Sequence, residues 1–185
     1  LALDVKDGQN VLDVCSAPGG KAIFVAEKNP TANVVACDIH PHRVELIGAY
    51  ARRMHVKNVT PTLFDGTAFN KEWAGHFDRV LCDVPCSAMG VVKKQPDVLL
   101  NRNENDIAAL KKVQYSILDN AKNYVKRGGL LVYSTCTIFK EENDDNVEEF
   151  LKNNNDFEKY PSEFDGQYLP NDTHDGFFIR RLRRK

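Results

Sequence analysis

A chain of 185 residues, 42% hydrophobic and 28% charged, has the size and composition of one globular domain with a real core. Its net charge of −1 gives no global attraction to a polyanion, and neither a bilayer-length apolar run nor a secretory leader is present, so no membrane partner is expected. The five cysteines are odd in number and lie in or beside apolar runs, which argues against a disulfide framework and for a reducing compartment.

The chain begins at Leu1 rather than Met, just before a strand pattern, and the expectation is that earlier residues exist. Apolar runs at 10–15 (NVLDVC), 33–38 (NVVACD), 59–64 (VTPTLF), 77–83 (FDRVLCD) and 128–135 (GGLLVYST) predict strands of a buried sheet. Amphipathic stretches at 20–29, 41–55 and 106–126 predict helices between them. In the third, Ile107, Leu110, Val113, Ile117 and Leu118 form one stripe, with Asp106 as N-cap and Gly128 as the stop. A further helix is expected at about 142–152. The segments 85–105 and 161–175 carry no periodic pattern, and long connections of that kind are usually functional or mobile. The basic tail at 180–185 (RRLRRK) reads as a solvated terminus.

Strand–helix alternation argues for a parallel sheet with helices on both faces, a class that binds ligands beyond the carboxyl ends of its strands. The stretch DVCSAPGGK (13–21) joins the first strand to its helix, and Gly19 and Gly20 let the backbone approach a ligand closely. The next strand ends at Asp38, placed to accept hydrogen bonds from ribose hydroxyls. The third is followed by Asp65, which either reaches an adenine amino group or only forms the turn. The G-x-G-x-x-G pattern of dinucleotide oxidoreductases is absent. Pro18 before two adjacent glycines suits a cofactor with one carboxylate better than a pyrophosphate, and S-adenosylmethionine fits.

Cys86 and Cys136 follow the fourth and fifth strands, so both should face that crevice, whereas Cys15, Cys37 and Cys82 read as buried small hydrophobes. Cys82 and Cys86 are too widely spaced for a C-x2-C zinc site, and no metal is expected. Two thiols beside a methyl donor suggest pyrimidine chemistry. Addition of a thiolate to carbon 6 makes carbon 5 nucleophilic, and a base must later remove the carbon 5 proton. Asp83 is positioned to hold the ring edge. Spacing alone leaves open which thiol attacks.

DVCSAPGGK, CDIHPHRVELI, FDGTAF, FDRVLCDVPCSAMGV, QPDV, LLVYSTCTIFKEEN and the final DGFFIRRL occur in one order over nearly the whole chain. With these pieces the chain resembles the Sun/Fmu family of RNA cytosine-5 methyltransferases, in particular its bacterial small-subunit (16S) ribosomal RNA members. The resemblance implies an α/β class I methyltransferase domain over 1–185, Rossmann-like, with a mostly parallel sheet and an antiparallel C-terminal strand. It implies methyl-donor contacts from Cys15, Ser16, Ala17, Pro18, Gly19, Gly20, Lys21, Asp38, Asp65 and Asp83, with Arg43 in support. Cys136 becomes the nucleophile, Cys86 assists release, and Lys21 also contacts the target base. The partner implied is 16S ribosomal RNA, free or in an assembly intermediate, with the protein a cytoplasmic monomer whose N-terminal RNA-binding part lies outside this sequence. The loop cations Lys93, Lys94 and Arg102 are candidates for holding the RNA backbone. Competing readings are methylation of another RNA and a non-catalytic RNA- or ribosome-binding module of the same fold. Ser16, Val84 and Met89 depart from the usual family residues without removing a reacting group.

Overall fold

Five apolar runs form the parallel half of one eight-stranded sheet: β1 (Asn10–Asp13), β2 (Asn33–Asp38), β3 (Val59–Leu63), β4 (Phe77–Asp83) and β5 (Val125–Thr135). The computed structural model describes residues 2–100 and 104–185. Three antiparallel strands complete the sheet: β6 (Phe157–Lys159), β7 (Gly166–Tyr168) and β8 (Phe177–Arg184). The order is β3-β2-β1-β4-β5-β8-β6, with β7 also paired to β8. The direction of winding reverses between β1 and β4, the place where such sheets open a ligand crevice. Pro61 lies in β3, an edge strand that tolerates a residue without an N–H.

Helices α1 (Gly20–Lys28) and α2 (Pro41–Arg53) cover one face, and α3 (Glu104–Ala121) and α4 (Asp144–Asn153) the other. The two-residue period of the strands divides the core accordingly. Val11, Val34 and Ala36 meet Ala22, Ala26 and Ile47 on the first face; Leu12, Val80, Leu131 and Tyr133 meet Leu118, Val147 and Phe150 on the second. Leu118, Leu131, Phe150 and Phe178 are fully buried, each contributing roughly 1.5–3 kcal/mol. Among the described residues no helix is long and apolar enough to cross a membrane.

Several sequence expectations change. The third helix ends at Ala121 rather than near 126, and after one 3-10 turn β5 starts at Val125, where Tyr124 is fully buried and donates its hydroxyl to Ala68 O at 3.0 Å. Gly128 is therefore not a helix stop. It takes φ 77 within β5, beside the register shift between the Phe77 and Arg79 pairings. Asp106 lies inside the first turn of α3 rather than capping it, where its charge suits the helix dipole. Val113 is 42% exposed rather than packed in the core. The tail is not a solvated terminus: Phe178 and Leu182 are buried on one face of β8 with Arg180 between them reaching Asp144 at 2.7 Å, and Arg181 is buried on the other face. Of the loop cations, Lys93 pairs with Asp172 at 3.2 Å and Lys94 with Asp175 at 2.6 Å; Arg102 lies outside the described residues.

Candidate active site

The turn between β1 and α1 is closed by backbone bonds from Ser16 N–H to Cys37 O and from Gly19 N–H to Ser16 O, both 2.7 Å. Gly19 adopts φ 105, and a Cβ there would lie 3.3 Å from Ile47 Cγ2, so glycine lets the turn close against α2. Beside this turn, at the carboxyl ends of the parallel strands, lies a cavity of about 440 Å³. Its polar wall comprises Asp38, Arg43, Asp65 and Asp83; Ile39, Phe64, Val113 and Ile117 make it apolar between them. The exposure of Val113 on α3 is thus exposure to this cavity.

Asp38 is nearly buried. Its Oδ1 accepts from His40 N–H at 3.0 Å, and Arg43 Nη1 lies 3.4 Å from its Oδ2. Asp65 Oδ1 accepts from the N–H and hydroxyl of Thr67 at 2.9 and 2.7 Å, so the turn geometry and the cavity position coexist at this residue. Cys15 and Ala17 line the same cavity, but Ser16 is buried within the turn and Pro18 faces α2 beside Leu46 and Tyr50. Gly20 and Lys21 line a second, largely apolar cavity of about 260 Å³ together with Phe24, Ser134 and Phe177.

Asp83 joins the two cavities. It lines the first, while its hydrogen-bond partners line the second: Lys21 Nζ donates to Oδ2 at 2.6 Å and Ser134 Oγ to Oδ1 at 2.7 Å. Ser134 is opposite Asp83 in the β4–β5 register. Burial pulls the Lys21 ammonium down, but the Asp83 carboxylate more than offsets this and holds it above its ordinary value. The ammonium also lies 5.6 Å from the centre of the Phe177 ring.

Just beyond these strand ends, Cys86 Sγ and Cys136 Sγ are 3.2 Å apart, and Cys136 N–H donates to Cys86 Sγ at 3.3 Å. Burial pushes the thiols of Cys15, Cys37 and Cys82 up, and hydrogen bonding to Cys136 together with burial raises Cys86. Cys136 alone among the five is held below the ordinary thiol value, chiefly by the hydrogen bond from Cys86.

Sequence reasoning overlooked Ser134, Phe177 and Asp13. The first two sit inside the quoted LLVYSTC and DGFF stretches, but only strand register reveals their contacts. Asp13 is buried at the end of β1 with neither carboxylate oxygen hydrogen-bonded, and burial pushes it up to about 7.

The strand order, the reversal at β1/β4 and the cavity beyond the strand ends define a class I S-adenosylmethionine-dependent methyltransferase fold. The chain belongs to the family 16S rRNA methyltransferase RsmB/F, whose model matches residues 1–183. It is 39% identical over 205 residues to the "Probable ribosomal RNA small subunit methyltransferase B" of Bacillus subtilis (strain 168), covering 100% of this chain and 45% of that protein. The crystal structure of PH0851 superposes with a TM-score of 0.94 at 31% identity, over 98% of this chain and 44% of that one. NSun6 from Pyrococcus horikoshii with SFG gives 0.86 at 27% identity, over 99% and 50%. The chain spans about half the length of the curated relatives it matches.

Proposed function

We propose that residues 1–185 are the catalytic domain of an enzyme that methylates carbon 5 of a cytosine in 16S ribosomal RNA, using S-adenosylmethionine and a covalent adduct on Cys136. The observation that carries this reading is the thiol pair, 3.2 Å apart, adjoining the Lys21–Asp83–Ser134 cluster.

The larger cavity suits the methyl donor in size and in donor set, with carboxylates set around an apolar middle. Asp38 would accept from the ribose hydroxyls, with Arg43 holding that carboxylate in place. Thr67 fixes Asp65 and leaves its second oxygen to accept from the adenine amino group. When bound, S-adenosylmethionine supplies an electrophilic methyl group.

The Cys136 thiolate forms a bond to carbon 6 of the cytosine, moving electron density to carbon 5. Asp83 steadies the ring edge, and the Lys21 ammonium opposes the charge that builds on the ring. Once carbon 5 carries the methyl group, a base takes its proton, the freed electron pair restores the C5–C6 double bond and the C6–S bond breaks to return Cys136 as a thiolate. Cys86, in its deprotonated form, is the group that takes this proton and so assists release. The lowered Cys136 thiol suits the attacking role. A base within helical RNA must first be unstacked to reach the thiols.

In this reading the whole protein acts as a cytoplasmic monomer on free or partly assembled small-subunit RNA, and its further RNA-binding surface lies outside these 185 residues. The test is incubation of the intact protein with unmethylated 16S RNA and methyl-labelled donor, then nuclease digestion and chromatography. Label in 5-methylcytidine is the expected result. Label only when transfer RNA is offered would assign another substrate, and no label with either RNA would support the binding-module reading.

A further inference from the structure

The residues immediately after the two thiols converge on a buried carboxylate that the proposed chemistry does not use. Glu142, in the turn before α4, has no solvent exposure. Its Oε1 accepts from the Ser87 backbone N–H at 2.9 Å and from the Gln114 side-chain amide at 2.8 Å, and its Oε2 accepts from the Ser87 hydroxyl. Three neutral donors compensate the burial of this group.

The direction of the remaining bonds follows from counting protons. Ser87 has one hydroxyl proton and gives it to Glu142, so in the 2.8 Å contact between Ser87 and Thr137 the donor is Thr137. Thr137 Oγ1 accepts in turn from Phe139 N–H at 3.3 Å. Ser87 follows Cys86 and Thr137 follows Cys136, so one carboxylate ties together the loops that carry both sulfurs. Gln114 adds a second hold, donating to Pro85 O at 2.9 Å, so both peptide groups flanking Cys86 are pinned. Asn143 braces the other loop: its Oδ1 accepts from the Thr135 hydroxyl at 2.6 Å and its Nδ2 donates to Thr137 O at 3.1 Å.

We propose that Glu142 is a positioning residue for the thiol pair, setting the spacing of Cys86 and Cys136 through Ser87 and Thr137 without touching RNA or methyl donor. This inference rests on the reading of those two cysteines as the reacting pair. A carboxylate suits the task because both oxygens accept, whereas a glutamine facing Ser87 Oγ with its amide N–H would force that hydroxyl to accept and reverse the Ser87–Thr137 contact. A sulfur–sulfur hydrogen bond is sensitive to a displacement of about 1 Å, a shift that can cost an active site roughly a hundredfold.

The test is the pH dependence of iodoacetamide alkylation at Cys136 in the intact protein, read by peptide mass spectrometry without RNA or methyl donor. Wild type should alkylate at lower pH than free cysteine. Glu142→Gln and Thr137→Val should both move the profile upward, and each unit of upward shift slows reaction at neutral pH roughly tenfold. Thr137→Ser, which keeps the hydroxyl, should restore the wild-type profile. If Glu142→Gln does not fold, the two Thr137 variants decide the matter. An unchanged profile in folded Glu142→Gln, or in Thr137→Val, overturns the proposal. Because the readout needs no methyl transfer, the two failures are distinguishable: unchanged profiles overturn the positioning role, whereas the predicted shifts in a protein that transfers no methyl group would overturn the functional reading and leave Glu142 only as the group that sets the thiol spacing.

Discussion

Cys86 Sγ and Cys136 Sγ lie within hydrogen-bonding distance although 50 residues separate them in the chain. Their proximity follows from strand pairing: β4 and β5 are parallel neighbours with Asp83 opposite Ser134, and each cysteine comes within three residues of its strand's end. The same pairing that brings the thiols together also delivers Ser134 to Asp83.

Lys21 is predicted to serve the chemical step more than donor binding. Its ammonium lies on Asp83 and beside Phe177, within the smaller cavity. Lys21→Met should lower kcat roughly a hundredfold, the scale of one lost preorganised charge. The donor's dissociation constant, measured by titration calorimetry, should change by less than about fivefold. A large loss of donor affinity with little change in kcat would place Lys21 in the donor site instead.

Asp38 is predicted to behave in the opposite way. Hydrogen bonds to a charged acceptor contribute about 1.5–3 kcal/mol, so Asp38→Ala should weaken donor binding roughly 10- to 100-fold. Calorimetry of the folded variant with S-adenosylmethionine measures this directly, and unchanged affinity would remove Asp38 from the donor site.

Asp13 makes stability depend on pH. Its folded value of about 7 exceeds the ordinary 3.8, so folding favours the protonated carboxyl. Its contribution is complete below about pH 4, falls as pH rises to about 7 and is constant above, a loss of up to about 4 kcal/mol. Asp13→Asn should therefore stabilise the protein more at pH 8 than at pH 5, by roughly 2–3 kcal/mol, in urea denaturation. An equal effect at both pH values would show that Asp13 is not held protonated.

Gly90 is predicted to admit no side chain. A Cβ there would lie 2.4 Å from Gly176 O and 2.7 Å from Cys136 O, both backbone atoms, at a site where Gly90 N–H donates to Cys136 O and Gly176 N–H donates to Gly90 O. Gly90→Ala should destabilise the fold by about 1–3 kcal/mol and pull the Cys136 loop from its neighbours. A wild-type melting temperature would contradict this.

What could be read from the sequence was what repeats or ends locally. The apolar runs marked β1, β2 and β4 to within two residues because buried parallel strands are nearly continuously apolar, and marked the half-exposed edge strand β3 to within one. The strand ends marked Asp38, Asp65, Asp83 and both thiols. The start of β5 was missed because in residues 122–127 the buried Tyr124 and Val125 are flanked by polar residues and continue the helical pattern, while the strand pairing of Val125 depends on Phe77. The tail was misread because its arginines hide a strand without apolar–polar alternation, whose charges find partners only in three dimensions. Glu142, Gln114 and Ser87 escaped notice for the same reason: a buried polar network joins residues 28 and 55 positions apart, and no local pattern announces it.

The central claim, that Cys136 attacks and Cys86 releases, is tested most directly by trapping the adduct. Intact wild type, Cys86→Ala and Cys136→Ala would each be incubated with unmodified small-subunit RNA and S-adenosylmethionine, then run on a denaturing gel. The account predicts that Cys86→Ala accumulates a protein–RNA band that survives denaturation, while Cys136→Ala forms none and loses methyl transfer by roughly a thousandfold or more. An adduct from Cys136→Ala and none from Cys86→Ala would contradict it and exchange the two roles.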